Sequence, residues 1–293
     1  MDLDKIATPT ARGIFLSEKP NGSGQSEDEF SFFSSIKLKN GVTKTTDRNR
    51  MREVDTWLYE FLPKGEIQKV LDVAISSGIT TVELCELFDA KKTAYQVTAM
   101  DSDITAFLLI FPDNKSVLTD KFGNPIHFEM GGKGFGYVKG TNVRHRIERA
   151  FLKSRSSRFI KSQLKNDLET TKKVTKKNGV EIHRIELVCR EIRGNPSINL
   201  LEDSIFSEKI GEKYGIVRAA NILNKGYFTD MQLTEALRQL RKRLETDGFL
   251  LICRTNIEGQ NNATLFKLTK ENKFEPAGRF GEGSEIEDLV LAL

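Results

Sequence analysis

The chain has 293 residues, enough to bury a substantial core and to form one large domain or two smaller ones. Its 45 Lys and Arg residues against 41 Asp and Glu residues give a formal charge of +4, and 38% hydrophobic with 29% charged residues is typical of a soluble globular protein. Apolar runs such as 106–111 fall far short of the roughly 20 residues that cross a bilayer, and the acidic start lacks the layout of a signal peptide, so we expect a cytoplasmic protein.

The three cysteines predict no metal site. Cys85, Cys189 and Cys253 are widely separated and form no Cys-x-x-Cys or Cys/His cluster, so we expect buried thiols rather than zinc ligands.

The first hundred residues divide into an arm, a helix and a strand-loop-helix unit. Residues 1–45 are rich in Ser, Gly and charge, which predicts a flexible N-terminal arm with little core of its own. Residues 47–62 predict a helix with Asp47 as its N-cap and with Pro63 shortly after its end. Its aromatic stripe around Trp57 favours packing over a substrate cage.

The most informative segment runs from residue 70 to residue 84. An apolar run ends at Asp72, a loop of small residues follows, and a helix covers 78–88. A second apolar run ends at Asp101, 29 residues later. Two strand-end acids that flank a small-residue loop predict a nucleoside-type ligand across the carboxyl ends of a parallel sheet.

These residues resemble the first two motifs of the Rossmann-like (class I) S-adenosylmethionine-dependent methyltransferases. The resemblance implies that Asp72 helps to orient the methionine end of the cofactor and that Asp101 accepts hydrogen bonds from the ribose hydroxyls. Where that family has Gly-x-Gly-x-Gly, this chain has Ala74, Ser76 and Gly78. The cofactor-binding residues that the resemblance implies are Asp72, Ala74, Ser76, Ser77, Gly78, Asp101, Ser102, Asp203, Ser204 and Asn221.

Other nucleotide-binding motifs fit less well. The glycines of a dinucleotide fingerprint would fall at Ala74, Ser76 and Ile79, and none of these is glycine. No Gly-x-x-x-x-Gly-Lys-Ser/Thr loop occurs, which argues against a nucleotide triphosphatase. A doubly wound domain without any cofactor remains open.

The C-terminal part predicts further strands and one long helix. Strands at 198–201 and 215–220 end before Asp203 and Asn221, and a helix that starts at Thr229 or Asp230 precedes a buried strand at 249–253. The helix carries one apolar stripe, Leu233, Leu237, Leu240 and Leu244, and Gly248 is expected to end it. The segments 264–268 and 274–280 predict a hairpin.

This order again resembles the methyltransferase fold. We expect an α/β protein with a doubly wound, mostly parallel seven-stranded sheet, a C-terminal antiparallel hairpin and a large inserted α+β lid. The resemblance implies that Asp203 or Ser204 reaches the adenine and that Asn221, at the tip of the fourth strand, faces the transferring methyl group. Asn221 and Tyr227 are the catalytic candidates. The segment 220–228 also looks like the chemotaxis-receptor methyltransferases.

The predicted insertion covers 107–195, within a cofactor domain of 46–106 and 196–293. Segments 107–110 and 126–128 predict a hairpin, and the glycines of 131–140 predict a mobile part of the lid. Lys133–Val138 copies the start of an RNA-recognition signature, which we interpret as a chance match. Residues 139–177 carry 13 Lys or Arg against three acids. Apolar residues four apart predict helices there, with one face formed by Ile147, Phe151, Ile160, Leu164 and Leu168.

The sequence therefore predicts an S-adenosylmethionine-dependent methyltransferase that acts on a small-molecule or protein acceptor. Two alternatives stay open: a non-catalytic binding module with the cofactor fold, and a nucleic-acid methyltransferase that uses the basic segment 139–177.

Overall fold

The computed structural model describes residues 8–17, 27–36, 44, 46–136, 143–159, 174–209 and 211–293. The chain divides into two compact units. Unit 1 comprises Met1–Thr45 and Asp103–Arg193, and unit 2 comprises Thr46–Ser102 and Gly194–Leu293.

The secondary structure follows in chain order. The helices are α1 (Ala11–Phe15), α2 (Glu27–Ser35), α3 (Arg52–Tyr59), α4 (Ile79–Ala90), α5 (Val143–Phe159), α6 (Arg190–Arg193), α7 (Asp230–Lys242) and α8 (Glu287–Leu291). The strands are β1 (Gln68–Val73), β2 (Tyr95–Asp101), β3 (Thr105–Ile110), β4 (Ser116–Asp120), β5 (Pro125–Met130), β6 (Lys133–Phe135), β7 (Val174–Lys177), β8 (Val180–Glu186), β9 (Ile198–Glu202), β10 (Tyr214–Ala220), β11 (Leu244–Thr255), β12 (Asn261–Leu268) and β13 (Phe274–Phe280).

Unit 2 is built on a seven-stranded sheet with the order β13-β12-β11-β10-β1-β2-β9. The five strands from β9 to β11 pair in parallel, and β12 and β13 continue the sheet as an antiparallel hairpin. The α/β class with a mostly parallel sheet is confirmed. Because the five parallel strands point the same way, their carboxyl ends form one edge of the sheet, which we call the carboxyl edge.

Helix α7 forms largely as its sequence predicts. Thr229 caps it and forms a reciprocal capping box with Gln232, an arrangement that stabilises a helix by about 1 kcal/mol. The predicted stripe of four leucines is buried in the core of unit 2. The helix ends at Lys242 rather than at Gly248, because the chain already enters β11 at Leu244.

Helix α3 is shorter than predicted. Its cap is Met51 without a side-chain hydrogen bond, and Asn49 has a left-handed φ of 59° that keeps the helix from starting at Asp47. Trp57 packs edge-on against Phe61, as the packing interpretation of the stripe requires. Both rings lie over Gly278 of β13, where an added Cβ would come within 2.7 Å of Phe61.

Unit 1 is a six-stranded antiparallel sheet with the order β6-β5-β4-β3-β8-β7. One apolar cluster of this sheet includes Leu152 of α5, and a second cluster includes Ala11 of α1 and Phe32 of α2. The prediction of a loosely held arm is therefore wrong for the described part of residues 1–45. Phe32 and Ala11 are fully buried, since they cover apolar side chains of β3 and β4.

Two other predictions about the inserted segment need correction. The segments 107–110 and 126–128 do not form one hairpin, because β4 lies between β3 and β5 and pairs with both. Residues 131–136 are not a mobile loop. They form a turn with left-handed glycines at Gly131 and Gly132 and then β6, which pairs with β5 and bridges to Thr8. Residues 137–140 lie outside the described residues.

The buried face of α5 also differs from the prediction. Ile147 and Phe151 are exposed, whereas Leu152 and Ser156 are buried. The apolar partners on the sheet are Phe111 and its neighbours, which receive Leu152 and Phe159. Ile160, Leu164 and Leu168 lie outside the described residues. Within the part of the chain that the structure describes, no helix is both long enough and apolar enough to span a membrane.

Candidate functional site at the carboxyl edge of unit 2

The loop after β1 adopts a glycine-like backbone without the expected glycines. Ala74, Ser76 and Gly78 have φ angles of 57°, 60° and 84°, so the left-handed conformation occurs at alternate positions. Gly78 then caps the N-terminus of α4. A non-glycine residue in this region costs about 1–2 kcal/mol, so Ala74 and Ser76 store strain.

Neighbouring strand ends hold this strained loop. The Ile75 N–H donates to the Met100 carbonyl at 3.2 Å, and the Ser76 N–H donates to Oδ2 of Asp101 at 2.8 Å. The Gly78 N–H donates to the Ile75 carbonyl at 2.8 Å. Asp101 and the small-residue loop thus lie together at the carboxyl edge.

Ser77 of the loop and Ser102, which follows Asp101, differ in solvent exposure. Ser77 is fully buried, and its hydroxyl has no hydrogen-bond partner among the described residues. Ser102 is exposed at the end of β2. The buried hydroxyl is a polar group that a ligand or water would satisfy, because buried polar groups are generally hydrogen-bonded.

Asp72 lies inside the protein, contrary to its expected role beside a ligand. Nη1 of Arg218 donates to Oδ1 and Oδ2 of Asp72 at 3.0 and 2.8 Å, and the Thr81 hydroxyl donates to Oδ2 at 2.7 Å. Asp72 is only 1% exposed. Its carboxylate therefore serves intramolecular contacts.

Arg218 joins Asp72 to a second carboxylate on α3. Its Nε and Nη2 donate to Oδ1 and Oδ2 of Asp55, both at 2.9 Å, in a bidentate ion pair. We call this buried cluster the Asp55–Arg218–Asp72 triad. Burial raises the pKa of Asp55 to about 6 although Arg218 opposes the shift. Burial alone would lower the pKa of Arg218, but the two carboxylates raise it above its ordinary value.

The sequence analysis missed Asp55 and Arg218. Arg218 interrupts the apolar run of β10 and is 0% exposed. Asp55 lies between the buried residues Val54 and Leu58 of α3. A charged residue within an apolar strand or helix face was the available signal, since buried charges are normally paired.

Asp203 also contacts an arginine. Its Oδ1 accepts from the Ser204 N–H at 2.9 Å and its Oδ2 accepts from Nη2 of Arg243 at 2.7 Å. Burial acts to raise the pKa of Asp203, but Arg243 and the Ser204 N–H hold it below its usual range. The Asp203 N–H donates to the Asp101 carbonyl at 3.1 Å, so both predicted acids lie at the carboxyl edge.

Asn221 follows β10 with a left-handed φ of 60°. Its Oδ1 accepts from the Thr255 N–H at 2.7 Å, and its Nδ2 donates to the Thr255 hydroxyl at 3.2 Å. Tyr227 is 57% exposed, and its ring meets Phe228 edge-on. The Asn224 side chain accepts from the Tyr227 N–H at 3.1 Å and fixes this turn. The two catalytic candidates are therefore positioned by ordered turns.

An open cavity of about 400 Å³ lies at the end of β11. Thr255 lines it, which places the cavity next to the Asn221 turn. Arg254 and Glu285 line it as an ion pair, and the Lys225 N–H donates to Glu285 at 3.1 Å. The cavity thus borders the turn that carries Tyr227.

Metal and thiol chemistry find little support among the described residues. No group of three or more His, Cys, Asp or Glu side chains that could hold a metal ion occurs there. Cys85, Cys189 and Cys253 are buried and form no disulfide. Burial raises the pKa of each thiol to about 12, which leaves them without nucleophilic thiolate at neutral pH.

No protein-family model matches the chain, and no curated protein matches it. Three solved structures that resemble it share 14% identity with it. The N-methyltransferase NodS from Bradyrhizobium japonicum WM9, crystallised with S-adenosyl-L-homocysteine, matches over 78% of this chain and 73% of that chain with a TM-score of 0.33. The CMeT domain of the citrinin polyketide synthase matches over 69% and 34% with a TM-score of 0.33.

The third match is a putative O-methyltransferase from Nostoc punctiforme PCC 73102, over 72% of this chain and 38% of that chain with a TM-score of 0.31. The chain spans little more than a third of the length of the citrinin and Nostoc chains that it matches.

Proposed function

We propose that unit 2 binds S-adenosylmethionine and transfers its methyl group to a small-molecule or protein acceptor. The observation that carries this proposal is the Ala74–Gly78 loop, whose left-handed residues alternate and whose Ser76 N–H contacts the strand-end carboxylate of Asp101. Ligands of open α/β sheets bind outside the carboxyl ends of the strands, where this loop lies.

The residues of the carboxyl edge fit the cofactor in part. We assign Asp101 to the ribose hydroxyls, and the Ala74–Gly78 backbone with the buried Ser77 hydroxyl to the cofactor's polar groups. Asp72 does not fit the role that the resemblance implies, because it is 1% exposed and its carboxylate accepts hydrogen bonds from Arg218 and Thr81 inside the protein.

Bound S-adenosylmethionine would supply a methyl group already activated on a sulfonium. The chain's own residues then have to orient the acceptor and exclude water, and orientation contributes up to roughly 7–11 kcal/mol to such reactions. We assign this task to Asn221, which Thr255 holds, and to Tyr227. The cavity beside Thr255 is the proposed acceptor site.

One observation favours a second candidate function, a non-catalytic binding module. Two acids expected to face the ligand, Asp72 and Asp203, instead pair with Arg218 and Arg243. A domain that kept the fold for ligand binding or protein contact would tolerate this change more easily than an enzyme would.

The basic segment keeps nucleic acid as a further acceptor class. Its described part includes α5, where Phe151 and Lys153 are exposed. Electrophoretic shift of labelled RNA and DNA at two salt concentrations tests this alternative. Tight binding that weakens steeply with salt would favour nucleic acid over a small molecule or protein.

Calorimetric titration with S-adenosylhomocysteine tests the proposal. We expect binding by the wild type and a loss of roughly tenfold or more in affinity for Asp101→Asn, because a hydrogen bond to a charged group contributes about 1.5–3 kcal/mol. Asp89→Asn is the matched control, since Asp89 lies at the end of α4 away from the loop. Absence of binding at millimolar ligand, or equal affinities of wild type and Asp101→Asn, would contradict the proposal.

A further inference from the structure

The Ala74–Gly78 loop has a strained backbone at two non-glycine residues. Residues held in the left-handed region persist only where the surrounding structure determines them strongly. Ala74 and Ser76 both adopt this region although neither is glycine. Contacts outside the loop must therefore oppose its relaxation.

Asp72 supplies such contacts on both sides of the loop. It lies in β1, two residues before Ala74, and its Oδ2 accepts from the hydroxyl of Thr81 in the first turn of α4 at 2.7 Å. This hydrogen bond fastens the strand that enters the loop to the helix that leaves it. Asp72, Thr81 and the adjacent Arg218 are 0–1% exposed, so water does not compete for this hydrogen bond.

Arg218 and Asp55 fix Asp72 in turn. Arg218 contacts both oxygens of Asp72 with one nitrogen and grips Asp55 with two others. Asp55 belongs to α3, 17 positions before Asp72, so a helix outside the sheet takes part in setting the loop. The contacts run without interruption from α3 through β10 and β1 to α4.

We infer that the Asp55–Arg218–Asp72 triad, together with Thr81, is a positioning device for the Ala74–Gly78 loop. It holds Ala74 and Ser76 in the left-handed conformation that glycine adopts without steric cost. Asp55, Arg218 and Thr81 are then positioning residues of the ligand site rather than contacts to the ligand. The device compensates for the alanine and the serine at glycine positions. Its effect on ligand affinity rests on the proposed function, whereas its effect on the loop does not.

Thr81→Val is the mildest test. It removes one hydroxyl from a buried position and keeps the shape of the side chain. Thr80→Val is the matched control, because Thr80 is the neighbouring buried threonine of the same helix turn and its hydroxyl makes no hydrogen bond to any described residue. Asp55→Asn tests the far end of the device.

The first measurement is native-state amide exchange at Ile75, Ser76 and Gly78, whose N–H groups are hydrogen-bonded in the loop. We expect Thr81→Val to speed exchange there at least fivefold and Asp55→Asn at least tenfold, with Thr80→Val unchanged. Adding Ala74→Gly and Ser76→Gly to either variant should restore exchange to within about twofold of wild type, because glycine adopts the left-handed region without the steric penalty that alanine and serine carry.

The second measurement is the affinity for S-adenosylhomocysteine, which should fall at least fivefold in Thr81→Val and return in the variant with both glycines. Unchanged exchange in Thr81→Val and Asp55→Asn would overturn the inference. A merely additive effect of the glycines would do so too, since general destabilisation predicts no specific rescue. If the wild type binds no S-adenosylhomocysteine, the proposed function fails, and loop exchange still decides this inference.

Discussion

Each unit contains an arginine–carboxylate contact, and the two contacts differ in burial and in what they join. In unit 2 Arg218 is 0% exposed and lies between Asp55 and Asp72, next to a strained loop at the carboxyl edge. In unit 1 Arg12 is 24% exposed and pairs with Glu129 of β5 at 2.7 Å. The first contact serves a candidate site, and the second fastens an N-terminal helix onto a sheet.

The two contacts predict different costs of losing the arginine. Removal of an arginine leaves its carboxylates unpaired, and the cost rises with the number of buried charges that are left and falls with the hydrogen bonds that they keep. Two buried carboxylates pair with Arg218, and of these Asp72 keeps a hydrogen bond from Thr81 when Arg218 is lost. Loss of Arg12 leaves only Glu129, which keeps a hydrogen bond from Ser116 at 2.6 Å.

The largest expected effect is that of Arg218→Met. It leaves Asp55 and Asp72 without their buried cation, and we expect a loss of about 3–5 kcal/mol in the free energy of unfolding of unit 2. Trp57, the single tryptophan of the chain, lies in α3 of unit 2 and reports this transition by fluorescence in a urea titration. A loss below about 1 kcal/mol would mean that water reaches the carboxylates of the triad.

His127 makes unit 1 sensitive to acid. Burial lowers the pKa of His127 to about 4 from an ordinary 6.5, although Glu129 opposes the shift. The folded state keeps the imidazole neutral while the unfolded chain protonates, so we expect the contribution of His127 to stability to be complete above pH 6.5 and to be lost as the pH falls towards 4. The full difference amounts to about 3 kcal/mol.

The variant His127→Gln isolates this contribution. It keeps a polar group near the Thr8 hydroxyl, which lies 2.9 Å from the histidine Nε2, and it cannot titrate. Amide exchange of β5 between pH 7 and pH 4 should show a smaller loss of stability in the variant than in wild type. Equal losses would assign the acid sensitivity to other groups.

Arg12→Met should cost less than Arg218→Met, about 2 kcal/mol, because it leaves one unpaired carboxylate rather than two, and Glu129 keeps hydrogen bonds from the Ser116 hydroxyl and from the backbone N–H of residue 12. Amide exchange in α1 and β5 measures the local loss. The Trp57 transition of unit 2 is the internal control and should stay unchanged. A cost equal to that of Arg218→Met would remove the contrast between the two clusters.

The sequence predicted the elements that local signals determine, and it failed where residues distant in the chain determine the structure. Helix α7 and the β12–β13 hairpin were predicted because a cap, an apolar stripe and a polar turn are local signals. Strands β4 and β7 are short, and β7 alternates exposed and half-buried positions, so their identity comes from partners in the sheet. The buried face of α5 was predicted wrongly because Ile147 and Phe151, which are exposed, are spaced four residues apart like a buried stripe.

In the candidate site, too, the sequence predicted the residues close together in the chain and missed the distant partners. The loop and Asp101 are at most 27 positions apart and belong to two successive motifs, so the resemblance predicted them as one site. The partners of Asp72 lie on α3 and β10, and Arg218 is 146 positions away in the chain. No local pattern connects these residues, and only the parallel pairing of β1 with β10 makes them neighbours.

The smallest expected effect concerns the loop itself, and it has the opposite sign. Ala74→Gly should stabilise unit 2 by about 0.5–1 kcal/mol, because relief of a left-handed alanine outweighs the extra freedom that glycine gives the unfolded chain. Ala99→Gly is the matched control: Ala99 is fully buried in β2, and glycine there should destabilise by about 0.5–1 kcal/mol or more. Urea titrations followed by Trp57 fluorescence measure both changes. If both substitutions destabilise unit 2, Ala74 is not strained, and the triad would then have no strained loop to restrain.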